Sequence, residues 1–155
     1  MTEFDYVVAS GHRDKRFNRL KCRIYNFFLV LKYPFLRVDG KYEYTYLDDM
    51  PVGWRVAFGA EMCSRIRNQL LKEKGLKDYK VFQVKEKFGE LRWYDNGSRA
   101  VQDIVDQYSS MSIVTCVKCG EEATWLTTGW IVPLCDECKR KEEESSPHPR
   151  AYHPL

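Results

Sequence analysis

Cys116-Val117-Lys118-Cys119-Gly120 and Cys135-Asp136-Glu137-Cys138, fifteen residues apart, decide how this chain of 155 residues is read. Two residues between thiols let both sulfurs turn toward one point. A tetrahedral ion about 2.3 Å from each sulfur wants four such donors. The spacing is that of a C-x2-C…C-x2-C zinc site, so Cys116, Cys119, Cys135 and Cys138 are the predicted ligands and Zn2+ the predicted cofactor. Gly120 suits the backbone turn that closes such a knuckle, because glycine tolerates it without strain. Four thiolates fill the coordination sphere and leave no position for water, which predicts a structural ion. A redox role for one Cys-x-x-Cys is the rival reading, and two pairs at this distance argue against it.

Between the pairs, residues 123–132 read as a short hairpin around Gly129, and after them residues 139–144 read as a helix. The second pair then stands at a helix N-terminus, where N–H groups help hold thiolate charge. Knuckle, hairpin and helix make the order of a treble-clef finger, a unit too small to fold on a core of its own.

Upstream, Trp54, Phe58, Met62, Ile66 and Leu70 recur every four residues and predict an amphipathic helix closed by Gly75. Asp39-Gly40 between alternating runs predicts a hairpin, with a tyrosine stripe at Tyr42, Tyr44 and Tyr46. A second hairpin is predicted over residues 79–94, bending at Phe88-Gly89. Ser98 is placed as the N-cap of a helix that turns Val101, Ile104, Val105, Tyr108 and Met111 to one side. Residues 14–31 read as a helix, basic in its first half and apolar in its second, which Pro34 ends. Residues 4–9 read as a short strand, and the tail after Glu142 shows no apolar period.

The charge balance is only +3, from 25 basic and 22 acidic residues, so bulk charge points to no class of partner. Its distribution is uneven: residues 12–37 hold eight Lys/Arg against Asp14, a local +7. The apolar run Ile24–Leu31 is far shorter than the roughly 20 residues of a spanning helix. The acidic start Met1–Asp5 carries no secretory pattern, and paired rather than scattered cysteines fit a reducing cytoplasm.

The finger, Cys116-Val-Lys-Cys119-Gly120…Trp125…Gly129…Leu134-Cys135-Asp-Glu-Cys138, resembles that of the GATA family, which also sets a Trp and a Gly between its knuckles. That resemblance implies a treble clef and nucleic-acid binding. This chain has a shorter inter-pair spacing, and Leu126-Thr127-Thr128 stand where the family has arginines. Gly53-Trp54…Cys63…Gln83-Val-Lys85-Glu-Lys87-Phe-Gly-Glu-Leu-Arg92-Trp93-Tyr94 with the finger is similar to small uncharacterised bacteriophage and prophage proteins, which implies a bacterial-host setting.

Two readings of the basic block Arg13, Lys15, Arg16, Arg19, Lys21 and Arg23 stand side by side: a phosphate-binding surface, or a solvated face whose stems cover apolar neighbours. Likewise Lys85, Lys87, Arg92 and Trp93 read either as a clamp for a single strand or as an ordinary hairpin surface. Isolated Cys22 and Cys63, beside apolar residues, read as core thiols. The histidines are His12, His148 and His153, and the chain contains no phosphate loop, nucleophile elbow or paired-carboxylate motif. The sequence therefore predicts an α+β body over residues 1–112, a zinc finger over 113–144 and a disordered tail over 145–155. The expected function is non-enzymatic: a phage-type accessory protein binding a host macromolecular complex, with a DNA- or RNA-binding zinc-finger protein as the alternative.

Overall fold

The computed structural model describes residues 16–148 and 150–155, with side chains from residue 23 onward. The strand expected over residues 4–9, and Arg13 and Lys15, lie outside the described residues; of Arg16, Arg19 and Lys21 the backbone alone is described. Helix α1 (Arg16–Lys32) stops before Pro34, which opens a 3-10 turn. Strands β1 (Arg37–Val38) and β2 (Lys41–Thr45) then pair antiparallel about Asp39 and Gly40. Both turn residues take positive φ, 50° and 74°, the conformation that lets two strands meet without splaying.

The four-residue repeat forms a helical turn α2 (Val52–Trp54), a π-helical segment (Arg55–Gly59) and helix α3 (Ala60–Lys72). Trp54, Phe58, Met62, Ile66 and Leu70 are all buried, and such side chains each contribute about 1.5–3 kcal/mol relative to exposure. The helix ends in a Schellman motif: Gly75 N–H donates to the Leu70 carbonyl and Lys74 N–H to that of Leu71. The left-handed residue is Lys74, at φ 56°, one position before the glycine expected to cap the helix.

Strands β3 (Val81–Lys87) and β4 (Glu90–Asp95) form the second hairpin about Phe88-Gly89. Helix α4 (Arg99–Ile113) follows, its N-cap Ser98 accepting from Val101 N–H at 3.3 Å. It buries Val101, Ile104, Val105 and Tyr108 as expected, but Met111 is exposed and Ser112 takes the inner position. There the Ser112 hydroxyl accepts from Leu91 N–H at 2.8 Å, and Ser109 donates to the Leu91 carbonyl at 2.6 Å. These bonds lay α4 along β4.

The finger adds β5 (Trp125–Thr127), β6 (Pro133–Leu134), α5 (Asp136–Ser145) and β7 (Tyr152–Pro154), with strand order β6-β5-β7, all antiparallel. The molecule is thus mixed α+β with three small antiparallel sheets. The expected disordered tail is corrected here: residues 152–154 pair with β5 through Thr128 N–H to the Ala151 carbonyl and Leu155 N–H to that of Thr124, both 2.9 Å. The physical reason lies across the sheet, where the Lys139 ammonium of α5 sits between the rings of Trp125 and Tyr152, 4.7 and 4.9 Å from their centroids.

A buried polar cluster joins α1 to the π-helical segment. Arg55 pairs with Asp48 at 2.8 Å, each side chain only 7% exposed. The Asp48 carboxylate also accepts from Asn26 Nδ2 at 3.0 Å, Thr45 N–H at 2.7 Å and Thr45 Oγ1 at 2.9 Å. Burial raises the Asp48 carboxyl, but the Arg55 charge and the Thr45 bonds outweigh it and hold the group below its usual range. A carboxyl lowered in the fold stabilises it above its unfolded pKa of about 3.9 and loses that contribution as pH falls further. Asp48→Ala, which strands a buried guanidinium, is expected to cost about 3–5 kcal/mol in urea unfolding at neutral pH. The same variant should lack part of the wild type's loss of stability in acid; an unchanged midpoint would refute the role given to this pair.

Candidate metal centre

Each predicted ligand is presented by its local backbone. The first pair lies in a tight loop closed by Gly120 N–H to the Cys116 carbonyl at 3.0 Å, with Cys116 N–H to the Glu121 carbonyl at 2.8 Å beside it. Gly120 has φ 87°, where a side chain would be strained. The second pair opens α5: Cys135 is its N-cap, and its sulfur accepts from Cys138 N–H at 3.5 Å. The β5–β6 hairpin, turning at Gly129 with φ 79°, brings the pairs together.

The four sulfurs lie within 4.8 Å of one another, Cys119 and Cys135 at 3.5 Å. A tetrahedron of sulfurs about 2.3 Å from a central ion has edges of roughly 3.8 Å, so the cluster has the size of such a shell. The 3.5 Å approach is a contact, well beyond the about 2.05 Å of a disulfide. Cys116, Cys135 and Cys138 are buried and Cys119 half-buried. Together the four thiols are able to hold a metal ion.

Electrostatics explain why the cluster wants a cation. Burial disfavours the Cys116 thiolate, yet the N–H groups of Cys135, Cys119 and Lys118 outweigh it and bring its thiol below the usual value. Burial pushes the Cys119 thiol up to about 11 and Cys138 higher still, the latter helped by the neighbouring sulfurs. The backbone thus favours the thiolate at Cys116, whereas burial opposes it at Cys119 and Cys138, where a positive ion would favour it.

The centre is fastened to the body at a point sequence reasoning missed. Gly53 N–H donates to the Val117 carbonyl at 2.8 Å, and Trp54 Nε1 to that of Thr115 at 2.8 Å. A Cβ on Gly53 would lie 2.1 Å from the Cys116 carbonyl oxygen and 2.7 Å from Gly120 N. Gly53 stands in the sequence just before the four-residue repeat that begins at Trp54; its contact with a loop more than sixty positions away has no local signal.

The other predicted residues are not assembled into one site. Arg23 is exposed and 3.4 Å from Glu43. On the second hairpin, Lys85 pairs across the strands with Arg92, and Lys87 with Glu90, whereas Trp93 pairs with Val84 on the opposite face. Trp93 is buried, its Nε1 donating to Tyr79 OH at 3.1 Å. The clamp expected from Lys85, Lys87, Arg92 and Trp93 is corrected accordingly: side chains alternate along a strand, so the indole faces the core while the cations face outward. Arg92 is engaged by Glu90 at 2.7 Å and Lys85 by Gln83 at 2.7 Å. Cys63 is fully buried, its thiol pushed up to about 12 by burial, as a core cysteine should be.

Compared with protein-family models, with curated proteins and with solved structures, the chain matches none.

Cys119→Ser is expected to abolish stoichiometric metal in elemental analysis, and metal affinity should fall as pH is lowered, because each released sulfur regains a proton. Gly53→Ala should destabilise by about 1–3 kcal/mol or more and weaken metal retention as well, since the added methyl meets backbone on the knuckle itself. Normal metal retention in Gly53→Ala would show that the body does not support the knuckle.

Proposed function

We propose that the ion is zinc, that it is structural, and that the chain is a non-enzymatic accessory protein of the phage or prophage type whose work is to bind a host protein complex in the bacterial cytoplasm. Zinc fits four thiolates in tetrahedral array, and a closed shell suits scaffolding rather than catalysis.

The observation that carries the binding role is Phe88. It occupies a hairpin-turn position at φ 55°, and the residue is 71% exposed. A left-handed conformation costs a non-glycine residue roughly 1–2 kcal/mol, and asparagine would serve the turn better. Strain of this kind at an exposed aromatic points to use of the side chain. Beside it the finger holds out Trp130, 70% exposed, whose Nε1 donates to Glu86 at 3.0 Å. Glu86, Lys87, Phe88, Trp130 and Ile131 line a concavity of about 250 Å³. Exposed, braced aromatics around a small apolar hollow are the anchors that dominate protein–protein affinity.

Phe88→Asn is expected to raise stability by about 0.5–1 kcal/mol and at the same time, with Trp130→Ala, to abolish retention of a stoichiometric partner from host lysate. X-ray absorption on the zinc-loaded protein should show four sulfurs and no oxygen neighbour. An oxygen ligand would favour a catalytic ion, and retention that survives both aromatic substitutions would reject this edge as the binding surface.

A further inference from the structure

Helix α1 is apolar on two sides. Its inner side buries Leu29 and Val30, with the polar Asn26, against the body. Its outer side carries Ile24, Phe27, Phe28 and Leu31, spaced i, i+3, i+4 and i+7, which are 47%, 43%, 62% and 57% exposed. A helical stripe with that spacing is normally the side that gets covered. Phe27 stands edge-on to both Phe28 and Tyr42, at ring separations of 5.6 and 5.5 Å, so β2 extends the patch with an aromatic that has a polar tip.

Charge says what covers it. Residues 16–32 contain Arg16, Arg19, Lys21, Arg23 and Lys32 and no acidic residue, and Arg13 and Lys15 precede them. By the helix period, Arg23 and Lys32 fall about 80–100° to either side of Ile24 and so flank the stripe. Among the described residues close to the helix, Glu43 pairs with Arg23 and Asp48 with Arg55, and Asp49 bonds the Tyr44 hydroxyl. A second copy of the helix would bring like charges together, with no acidic residue within residues 16–32 of either copy to meet them. Duplex nucleic acid would use the cations and leave four large apolar side chains in water. An anionic bilayer surface satisfies both halves at once, with Ile, Phe and Leu entering the headgroup–acyl boundary while guanidinium and ammonium groups meet lipid phosphate. No helix among the described residues is long and apolar enough to cross a membrane, and an in-plane helix needs no span.

We propose that the outer face of α1 is an in-plane anchor for anionic lipid bilayers. The surface lies on a different element from the Phe88–Trp130 edge, and the two are separable by mutation.

The test is flotation of the zinc-loaded full chain with vesicles of phosphatidylcholine alone or mixed with phosphatidylglycerol, at low and high salt. Binding is expected on the mixed vesicles, weakening with salt. Ile24→Ser with Phe28→Ser should lower partition roughly tenfold or more, because two of the inserting groups are lost. Arg23→Glu with Lys32→Glu should remove the preference for phosphatidylglycerol. All four positions are exposed, and unchanged metal content verifies that each variant is folded. Absence of partition onto mixed vesicles at low salt overturns the proposal, as does partition insensitive to the serine pair. A dimer abolished by the serine pair, without vesicle binding, would assign the face to a second copy and overturn it too. Retention on duplex DNA without vesicle binding would do the same in favour of nucleic acid.

Discussion

At Gly53 the backbone of the body touches the backbone of the first knuckle, and much of the molecule is arranged around that contact. A Cβ on Gly53 would meet the Cys116 carbonyl oxygen at 2.1 Å, and one on Gly120 would meet the Gly53 carbonyl oxygen at 2.6 Å. Two glycines therefore face each other where no side chain fits. The contact adds Gly53 N–H to Val117 O on one side and Trp54 Nε1 to Thr115 O on the other. The loop that presents Cys116 and Cys119 is thus held from outside by the helix that organises the core. From inside it is held by whatever neutralises its sulfurs. Val117 packs on both the main core and the small cluster beneath the finger, so the two are mechanically continuous.

That double hold explains how so small a finger orders so much around it. The cluster beneath it comprises Leu134 and three of the cysteines, with Val117, Cys119 and Tyr152 against them, far less apolar surface than an independent unit requires. Its other ties are polar and sit at its edges. Lys118 of the knuckle pairs with Glu142 of α5 at 2.6 Å, and Trp125 Nε1 donates to Asp136 at 2.6 Å. Exposed pairs of this kind are each worth at most about 1 kcal/mol. A metal ion held by the four sulfurs would add to what these ties and the β5–β6 pairing supply, because binding an ion to such a set is coupled to folding.

What the sequence disclosed follows the range of the cause. Turn chemistry and caps act over a few residues, and Asp39-Gly40, Gly89, Ser98 and Gly120 do in the structure what their types demand. The cysteine spacing, though longer, is a local signal repeated. Where the cause is distant the reading failed. Tyr152 reads as one aromatic in a proline-rich tail until Lys139 and Trp125 stand beside it. Arg55 lies off the predicted apolar stripe, and nothing near it in sequence shows that Asp48 and Asn26 meet it in the interior. Trp93 is an intermediate case: a turn centred on Phe88-Gly89 sets Lys85 opposite Arg92 and Val84 opposite Trp93, so the parity that removes the indole from the cationic face was already implicit in the predicted turn.

The π-helical segment at Arg55–Gly59 has a cause of the same kind, written in the spacing of the core residues. A strict repeat of four advances about 40° per step on a helix of 3.6 residues per turn, so from Trp54 to Leu70 a regular helix would carry the stripe roughly 160° around its axis. Trp54 and Leu70 are nevertheless both buried, with Phe58, Met62 and Ile66 between them. One wider turn takes up about a residue's rotation and returns most of that drift. It falls at the first step of the repeat, next to Gly53, and so Trp54 can point its indole at Thr115 under the knuckle while Phe58 meets Tyr108 of α4 at a ring separation of 5.4 Å. Arg55, carried inward by the same turn, is the residue that Asp48 must then neutralise. An irregular helix, a buried ion pair and the docking of the finger are in this way consequences of one spacing.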